Sequence, residues 1–224
     1  MCGRFTLYSD YEKIIKRFEI GSAFPEEEYK RSYNIAPSQE VAAIINDGSQ
    51  NRLGFIRWGL VPSWAKDEKM DYSLMNARAE TITEKPSFRA SFEKRRCLII
   101  ADSFYEWKKT DGTKSPMTIT LKENHPFGMA GIWDCWKRND GTKLYSCTIL
   151  TTSSNSFMSD IHERMPVILH REDEEAWLNP ANNDQAALLQ LLKPYDSNAM
   201  EAYVVSDEVN SPKNNGPALI KALS

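Results

Sequence analysis

The sequence predicts an α+β fold in which short helices flank a mixed, barrel-like β-sheet core. Many short segments rich in apolar and β-branched residues are separated by turn dipeptides such as Asp111-Gly112 and Asp140-Gly141, which is typical of β-hairpins. Only a few segments between them have the residue spacing of a helix. The 224 residues contain no repeat, low-complexity run or clear linker, so we predict a single domain over residues 1–224.

The first helix is predicted at residues 9–20, where apolar residues at positions 11, 14, 15 and 18 lie on one helical face. Ser9 and Glu12 have the spacing of a capping box, and Gly21 follows as a stop signal. Further helices are predicted at 86–92, 153–161, 171–178 and 184–192, and a short one after a loop at 210–216.

The strands are predicted where β-branched and aromatic residues stand between turn residues. They cover residues 41–45, 53–60, 97–101, 104–108, 117–121, 127–136, 144–152, 167–170 and 203–206. The Asp-Gly turns favour a meander that includes the strands at 117–121, 127–136 and 144–152. Residues 22–40 are predicted to be loop-like.

The charge of the chain is unevenly distributed. The net charge of −3 argues against a protein that binds polyanions with its whole surface. Residues 52–114, however, hold 13 Lys and Arg against 9 Asp and Glu, whereas residues 171–224 hold 4 against 9. This pattern predicts either a local basic groove or two ordinary solvated faces, and charge alone does not choose between them.

Membrane, metal and cofactor functions find no support in the sequence. No apolar run approaches the roughly eighteen residues of a membrane span. No secretory signal pattern opens the chain, so we expect a cytoplasmic protein. The four cysteines form no C-x-x-C pair, and with three histidines they show no zinc spacing, so we expect neither metal nor cofactor. Cys97, Cys135 and Cys147 are expected to pack as small apolar side chains.

Cys2 is a candidate nucleophile because of its place in the chain. Removal of Met1 would make it the N-terminus, with an α-amine and a thiol on adjacent carbons. An α-amine has a pKa of about 7.7–8.0, against about 10.4 for lysine, so more of it is unprotonated at neutral pH. Such an amine forms Schiff bases with aldehydes, and the thiol can close the imine into a thiazolidine. The alternative is a small residue at a frayed end.

Three further side chains stand out. Trp64 follows Pro62 and precedes polar residues, which predicts a partly exposed ring that can stack on a base, whereas Trp58 is expected in the core. Glu106 lies between aromatic residues in a predicted strand, whose alternation puts it on the same face as Phe104 and opposite Tyr105 and Trp107. Burial there would raise its pKa and suit it to proton transfer; the alternative is a surface glutamate. His162 lies at an element boundary, where it can reach a cleft or be merely structural.

Six separate motifs, in order along the chain, resemble those of the SRAP family, the SOS-response-associated peptidases, also called abasic-site processing proteins. They are Met1-Cys2-Gly3-Arg4-Phe5, Tyr33-Asn34-Ile35-Ala36-Pro37, Arg57-Trp58-Gly59-Leu60, Asn76-Ala77-Arg78-Ala79-Glu80, Asp102-Ser103-Phe104-Tyr105-Glu106-Trp107 and Asp160-Ile161-His162-Glu163-Arg164-Met165-Pro166. The resemblance spans nearly the whole chain.

The resemblance implies a protein that binds single-stranded DNA at an abasic site and forms a thiazolidine with the open-chain sugar aldehyde, which shields the lesion. By this resemblance Cys2 is the nucleophile and Asn76 orients it. Glu106 transfers protons in both directions of the reaction, and His162 assists ring opening of the sugar. The expected partner is abasic single-stranded DNA, and the expected state is a monomer.

The resemblance also implies a DNA-binding surface. Arg4, Arg78 and Arg164 match phosphate-contacting positions, and Pro37 and Trp64 match positions near the bases. Arginine forks suit phosphate, and stacking binds DNA without sequence preference. Some family members carry a second tryptophan where this chain has Ala65, so stacking is expected to be weaker here.

Other functions of an N-terminal cysteine remain open at this stage. An amidohydrolase of the glutamine amidotransferase kind also begins with Met-Cys-Gly. A cysteine peptidase could pair Cys2 with His162, and removal of Met1 by the chain itself would be its mildest form. A noncatalytic DNA-binding module is the third alternative, and it would keep its function after substitution of Cys2.

Overall fold

A closed barrel of five strands forms the centre of the fold. The computed structural model describes residues 2–68 and 74–223. Its strands, in chain order, are β1 (Phe5–Leu7), β2 (Ile20–Ala23), β3 (Ser32–Ile35), β4 (Glu40–Asn46), β5 (Asn51–Trp58), β6 (Asn76–Arg78), β7 (Arg96–Ala101), β8 (Ser103–Thr110), β9 (Thr113–Leu121), β10 (Phe127–Lys137), β11 (Lys143–Ser153), β12 (Arg164–Pro166) and β13 (Met200–Val204). The α-helices are α1 (Tyr11–Arg17), α2 (Arg89–Lys94), α3 (Arg171–Leu178) and α4 (Gln185–Gln190).

The barrel consists of β5, β4, β7, β10 and β11, which pair antiparallel in that order. A short parallel pairing closes the ring, in which Ser146 and Cys147 of β11 lie opposite Arg57 and Trp58 of β5. The strand β6 continues along the same edge of β11, and β12 pairs with the end of β11. The predicted α+β fold with a mixed, barrel-like sheet is therefore confirmed.

A second sheet of five strands, ordered β13-β9-β8-β1-β3, packs on the barrel. Phe5, Phe104 and Ile119 of this sheet belong to the same hydrophobic core as the barrel interior. The predicted meander is wrong at one step, because β9 pairs with β8 and β13 and not with β10. The segment between Leu121 and Phe127 instead carries the chain from one sheet to the other.

The prediction of a loop over residues 22–40 is also wrong in part, since β2 and β3 lie there and pair with β5 and β1. The strand predicted at 167–170 begins earlier, as β12, and Ile168 makes only an isolated bridge to Met129. Both errors concern strands of three or four residues, whose pairing partners are distant in sequence and invisible to local patterns.

The first helix is shorter than predicted. Its N-cap is Asp10, and the Ser9 hydroxyl donates at 2.5 Å to Asp102. Asp102 also accepts from the backbone N–H groups of Tyr8 and Ser9, so a tertiary contact replaces the capping box. The helix ends because Glu19 adopts a left-handed backbone with φ of 51°, and Gly21 lies in β2.

The other helix predictions fare unevenly. The helix at 171–178 is confirmed as α3, and the segment 184–192 forms the shorter α4 with an Asp184 N-cap. The helix expected at 86–92 begins at Arg89. The segment 153–161 holds only the 3-10 turn Met158–Asp160.

The strand β1 carries the start of the chain into the middle of the second sheet. It pairs with β3 on one side and with β8 on the other, with Phe5 opposite both Ile35 and Phe104. The backbone N–H of Tyr105 donates to the carbonyl of Arg4 at 2.9 Å, which extends this pairing toward Cys2. Continuing the antiparallel register brings Gly3 opposite Glu106, so the first residues run alongside that carboxyl group.

Candidate active site

Cys2 is fully buried next to the carboxyl group of Glu106. Burial raises the pKa of the Cys2 thiol well above its usual range, and the charge of Glu106 raises it further. The backbone N–H of Arg4 bonds to the thiol and lowers its pKa in part. The sulfur is therefore held as a neutral thiol. Met1, whose removal is expected to expose the α-amine of Cys2, lies outside the described residues.

Asn76 holds the backbone of Cys2 in place. It begins β6, where it lies opposite Ile149 of the barrel strand β11. Its side-chain Nδ2 donates to the carbonyl oxygen of Cys2 at 2.9 Å. Its Oδ1 is buried and accepts no hydrogen bond from the described residues. One end of the amide thus fixes the cysteine, and the other is an unused acceptor beside it.

Glu106 is a buried carboxyl group, with only 3% of its surface exposed. Burial raises its pKa to about 7, so the group is close to half-protonated at neutral pH. The predicted alternation along β8 is confirmed, because Phe104 packs in the main core while Tyr105 and Trp107 pack in a second cluster on the opposite face. The strand therefore aims Glu106 inward, toward Cys2.

His162 is held in one orientation by the backbone that follows it. Its Nδ1 accepts a hydrogen bond from the backbone N–H of Arg164 at 3.0 Å. The proton of the neutral ring is therefore on Nε2. Burial lowers the pKa of His162, which favours the neutral imidazole at pH 7. The 3-10 turn Met158–Asp160 positions His162, because the backbone N–H of His162 donates to the Met158 carbonyl.

The three arginines assigned to phosphate by resemblance lie in different environments. Arg78 is exposed at the end of β6. Arg164 is largely buried and makes a two-pronged ion pair with Glu80. The Arg4 guanidinium donates to Asn34 Oδ1 at 2.7 Å and to the Val209 carbonyl at 2.8 Å, which ties the N-terminal strand to the C-terminal segment.

Trp64 is exposed, as predicted, with 56% of its surface accessible, while Trp58 is fully buried. The loop that carries Trp64 is well anchored: the backbone N–H of Ser63 donates to Asp134 at 2.8 Å, and the indole of Trp136 donates to the Ala65 carbonyl at 2.8 Å. Ala65 itself is buried against Trp136. The ring of Trp64 therefore projects from a well-anchored loop. Pro37 is half-buried between β3 and β4.

Among the predicted site residues, Asn76 is hydrogen-bonded to Cys2, and the charge of Glu106 acts on the Cys2 thiol. His162 is hydrogen-bonded to the backbone of Arg164. Three residues that were not predicted to take part hold the predicted arginines in place. Glu80 and Thr151 accept hydrogen bonds from Arg164, and Asn34 accepts one from Arg4. Glu80 and Asn34 stand within the motifs quoted above, which was the available signal. Thr151 gave none.

No group of three or more His, Cys, Asp or Glu side chains in residues 2–68 and 74–223 is placed to hold a metal ion. No helix in that part of the chain is long and apolar enough to cross a membrane.

The fold and the site define an α+β barrel protein whose buried second residue, a cysteine, lies beside an asparagine and a buried carboxyl group. The chain belongs to the SOS response associated peptidase (SRAP) family, whose sequence model matches residues 1–212. It is 58% identical over 223 residues to the abasic site processing protein YoqW of Bacillus subtilis (strain 168), covering 99% of this chain and 100% of that protein.

More distant relatives agree. The chain is 34% identical to the abasic site processing protein HMCES of Rattus norvegicus, over 97% of this chain and 74% of that protein. A crystal structure of a protein from Bacteroides thetaiotaomicron matches with a TM-score of 0.90 at 31% identity, and all of both chains is covered. The family and the fold therefore rest on independent comparisons.

Proposed function

We propose that this protein processes abasic sites by binding single-stranded DNA and forming a thiazolidine between Cys2, after removal of Met1, and the aldehyde of the opened sugar. The observation that carries the proposal is the environment of Cys2, which is buried, bonded through its carbonyl to Asn76 and close enough to Glu106 to feel its charge. The abasic site processing proteins of Bacillus subtilis and Rattus norvegicus named above are relatives over nearly the full chain, which supports the same substrate here.

The reaction needs an amine, a thiol and groups that move protons. The α-amine of Cys2 attacks C1′ of the aldehyde, and the resulting carbinolamine loses water with a proton supplied by Glu106. The Glu106 carboxylate then takes back the proton of the iminium nitrogen, which leaves the imine. The thiol then adds to the imine carbon, and its proton passes to the imine nitrogen. One water molecule is released, and no oxidant or reductant is consumed. Reversal uses the same groups in the opposite order.

The protonation states of the site suit this order of events. Glu106, with a pKa of about 7, can give a proton for dehydration and take one for hydrolysis near neutral pH. Cys2 stays a thiol until an imine is present, because burial raises its pKa. His162, as a neutral imidazole with its Nδ1 fixed, is suited to assist opening of the sugar ring.

Binding to DNA is assigned to the arginines and the exposed tryptophan. We place phosphates at Arg4, Arg78 and Arg164, and bases at Pro37 and Trp64. A single strand fits because an exposed ring can stack only on an unpaired base. The protein is proposed to act as a monomer, and the chemistry requires no metal or cofactor.

A cysteine peptidase or amidohydrolase is the second candidate, and the description of the family as peptidases favours it. Such enzymes attack with a thiolate, whereas burial and the Glu106 charge hold Cys2 as a thiol. We therefore confine peptidase chemistry, within this proposal, to the removal of Met1, which an aminopeptidase could also perform. Cleavage of the DNA strand is confined to failed capture, in which an open imine undergoes β-elimination.

A single experiment tests the proposed function. The purified protein is incubated with a single-stranded oligonucleotide that contains one abasic site, and with the same oligonucleotide carrying an ordinary base. We expect a shift on a denaturing gel with the abasic strand only. A variant with one alanine inserted between Met1 and Cys2 should give no shift, because the terminal aminothiol is lost. A shift of equal strength with that variant would contradict the mechanism.

A further inference from the structure

The carboxylate of Glu80 occupies the guanidinium of Arg164. Glu80 lies in the 3-10 turn Ala79–Thr81, directly after β6. Its two oxygens accept from Nη1 and Nη2 of Arg164 at 2.6 and 2.9 Å. A guanidinium makes the same two-pronged contact with a phosphate. An acidic side chain of the protein therefore takes the place that the proposed function gives to a DNA phosphate.

The two partners of this ion pair differ in how firmly they are held. The side chain of Arg164 is only 13% exposed, and its Nη2 also donates to the carbonyl and the hydroxyl of Thr151, at 2.6 and 3.2 Å. The side chain of Glu80 is 49% exposed, and apart from its own backbone N–H, Arg164 is the hydrogen-bond donor that holds its carboxylate in the described residues. Arg164, at the start of β12, is thus tied to the barrel strand β11, while Glu80 is the partner that can move away.

The guanidinium of Arg164 also has a donor that no described residue uses. Its Nε is buried and makes no hydrogen bond to the described residues. Arg78 lies on β6 opposite Thr151, so both arginines are anchored at one residue of β11. The hydrogen bond from Arg164, and then the charges of Arg164 and Arg78, lower the pKa of Glu80. An ionised Glu80 therefore sets its negative charge between two cations.

We propose that Glu80 is a specificity-determining residue that acts as an internal substitute for a DNA phosphate at Arg164. The inference rests on the proposed function. A phosphate can reach the fork of Arg164 only by displacing the Glu80 carboxylate, which then needs a counterion. Intact single strands are consequently bound weakly, and a strand is retained only when Cys2 captures its aldehyde.

Equilibrium binding of undamaged oligothymidine, measured by fluorescence anisotropy over a range of salt concentrations, tests this role without involving the aldehyde. Glu80→Gln should bind about two- to fivefold more tightly at low salt, since the half-exposed Glu80 carboxylate no longer competes with the phosphate. The plot of log affinity against log salt should steepen by about 0.7, the value for one additional phosphate neutralised on a single strand. Merely losing a support for Arg164 would instead weaken binding.

Two further variants isolate the pair. Glu163→Gln removes the same charge from an exposed neighbour of Arg164, and it should change the affinity less and leave the slope unaltered. In an Arg164→Gln background, Glu80→Gln should have no effect. Weaker or unchanged binding by Glu80→Gln, with the wild-type slope, would overturn the inference while leaving crosslinking of abasic DNA intact. Absence of any binding by the wild type would overturn the proposed DNA interface together with this inference.

Discussion

The side-chain Nδ2 of Asn76 donates to the carbonyl oxygen of Cys2 at 2.9 Å, which fastens the start of the chain to the barrel. Asn76 belongs to β6, on the edge of β11, whereas the strand that follows Cys2 belongs to the second sheet. The hydrogen bond thus joins the two sheets at the proposed nucleophile. The position of the α-amine depends on a contact between residues that are 74 apart in sequence.

Asn76→Asp should slow crosslink formation by about 10- to 100-fold. The change is nearly isosteric, but it places a carboxylate against the Cys2 carbonyl, and a lost buried hydrogen bond costs about 1–3 kcal/mol. Single-turnover crosslinking on a denaturing gel measures the effect. The control is Asn51→Asp, which removes a similar amide-to-carbonyl bond, to Phe18, far from Cys2. Equal crosslinking rates in the two variants would show that Asn76 is not needed for positioning.

Cys2→Ser separates the amine of the terminal residue from its sulfur. The serine variant should still form an imine with the abasic aldehyde, but the imine stays open because a hydroxyl closes the ring poorly. We expect little stable crosslink without borohydride, a trapped adduct with it, and more strand cleavage than with wild type. A crosslink as durable as that of wild type, formed without reductant, would show that another bond holds the DNA.

Glu106→Gln should slow both formation and reversal of the crosslink, because one carboxyl group serves both directions. General acid–base groups contribute about 10²–10⁴-fold to rates. With a pKa of about 7 for Glu106 and about 7.7–8.0 for an α-amine, the wild-type rate should peak close to pH 7.5, and the variant should lose the limb due to Glu106. Unchanged rates in both directions would make Glu106 a structural residue.

The raised pKa of Glu106 also has a consequence for stability. The folded pKa of about 7 lies above the unfolded value of about 4.3, so folding favours the protonated form. Its contribution is complete below pH 4.3 and is lost as the pH rises through 7, a loss on the order of 4 kcal/mol. Raising the pH from 5 to 8 should therefore lower the melting temperature of wild type more than that of Glu106→Gln, as measured by thermal unfolding. A stability difference that stays constant with pH would contradict the buried acid.

Trp64→Ala should weaken binding to single-stranded DNA by about 1–3 kcal/mol if the exposed ring stacks on a base. The control is Tyr145→Ala, which removes another exposed aromatic ring, 44% accessible, that packs near Trp133. Fluorescence anisotropy with an oligonucleotide measures both. If the two variants lose affinity equally, or neither does, Trp64 has no specific role in stacking.

The sequence was sufficient for features that depend on local pattern. Strand alternation placed Glu106 and Phe104 on one face, and the Asp-Gly turns located the hairpins, where Gly112 and Gly141 have φ of 82° and 88°. The exposed Trp64 and the buried Trp58 followed from their neighbours in the chain. The motifs from Cys2 to Arg164 were sufficient to indicate the family. These features depend on residues that are close together in the chain, so the sequence alone is enough to predict them.

Only the tertiary structure decided which residues meet. Strands β5 and β11 close the barrel although they are distant in sequence, and after β9 the chain passes from one sheet to the other. The hydrogen bond from Ser9 to Asp102 also joins distant segments. The pairing of Arg164 with Glu80 is of the same kind, since 84 residues separate them. Such contacts depend on the register and the packing of whole sheets, because the free energy that selects them comes from burial across the fold rather than from the propensity of any one segment.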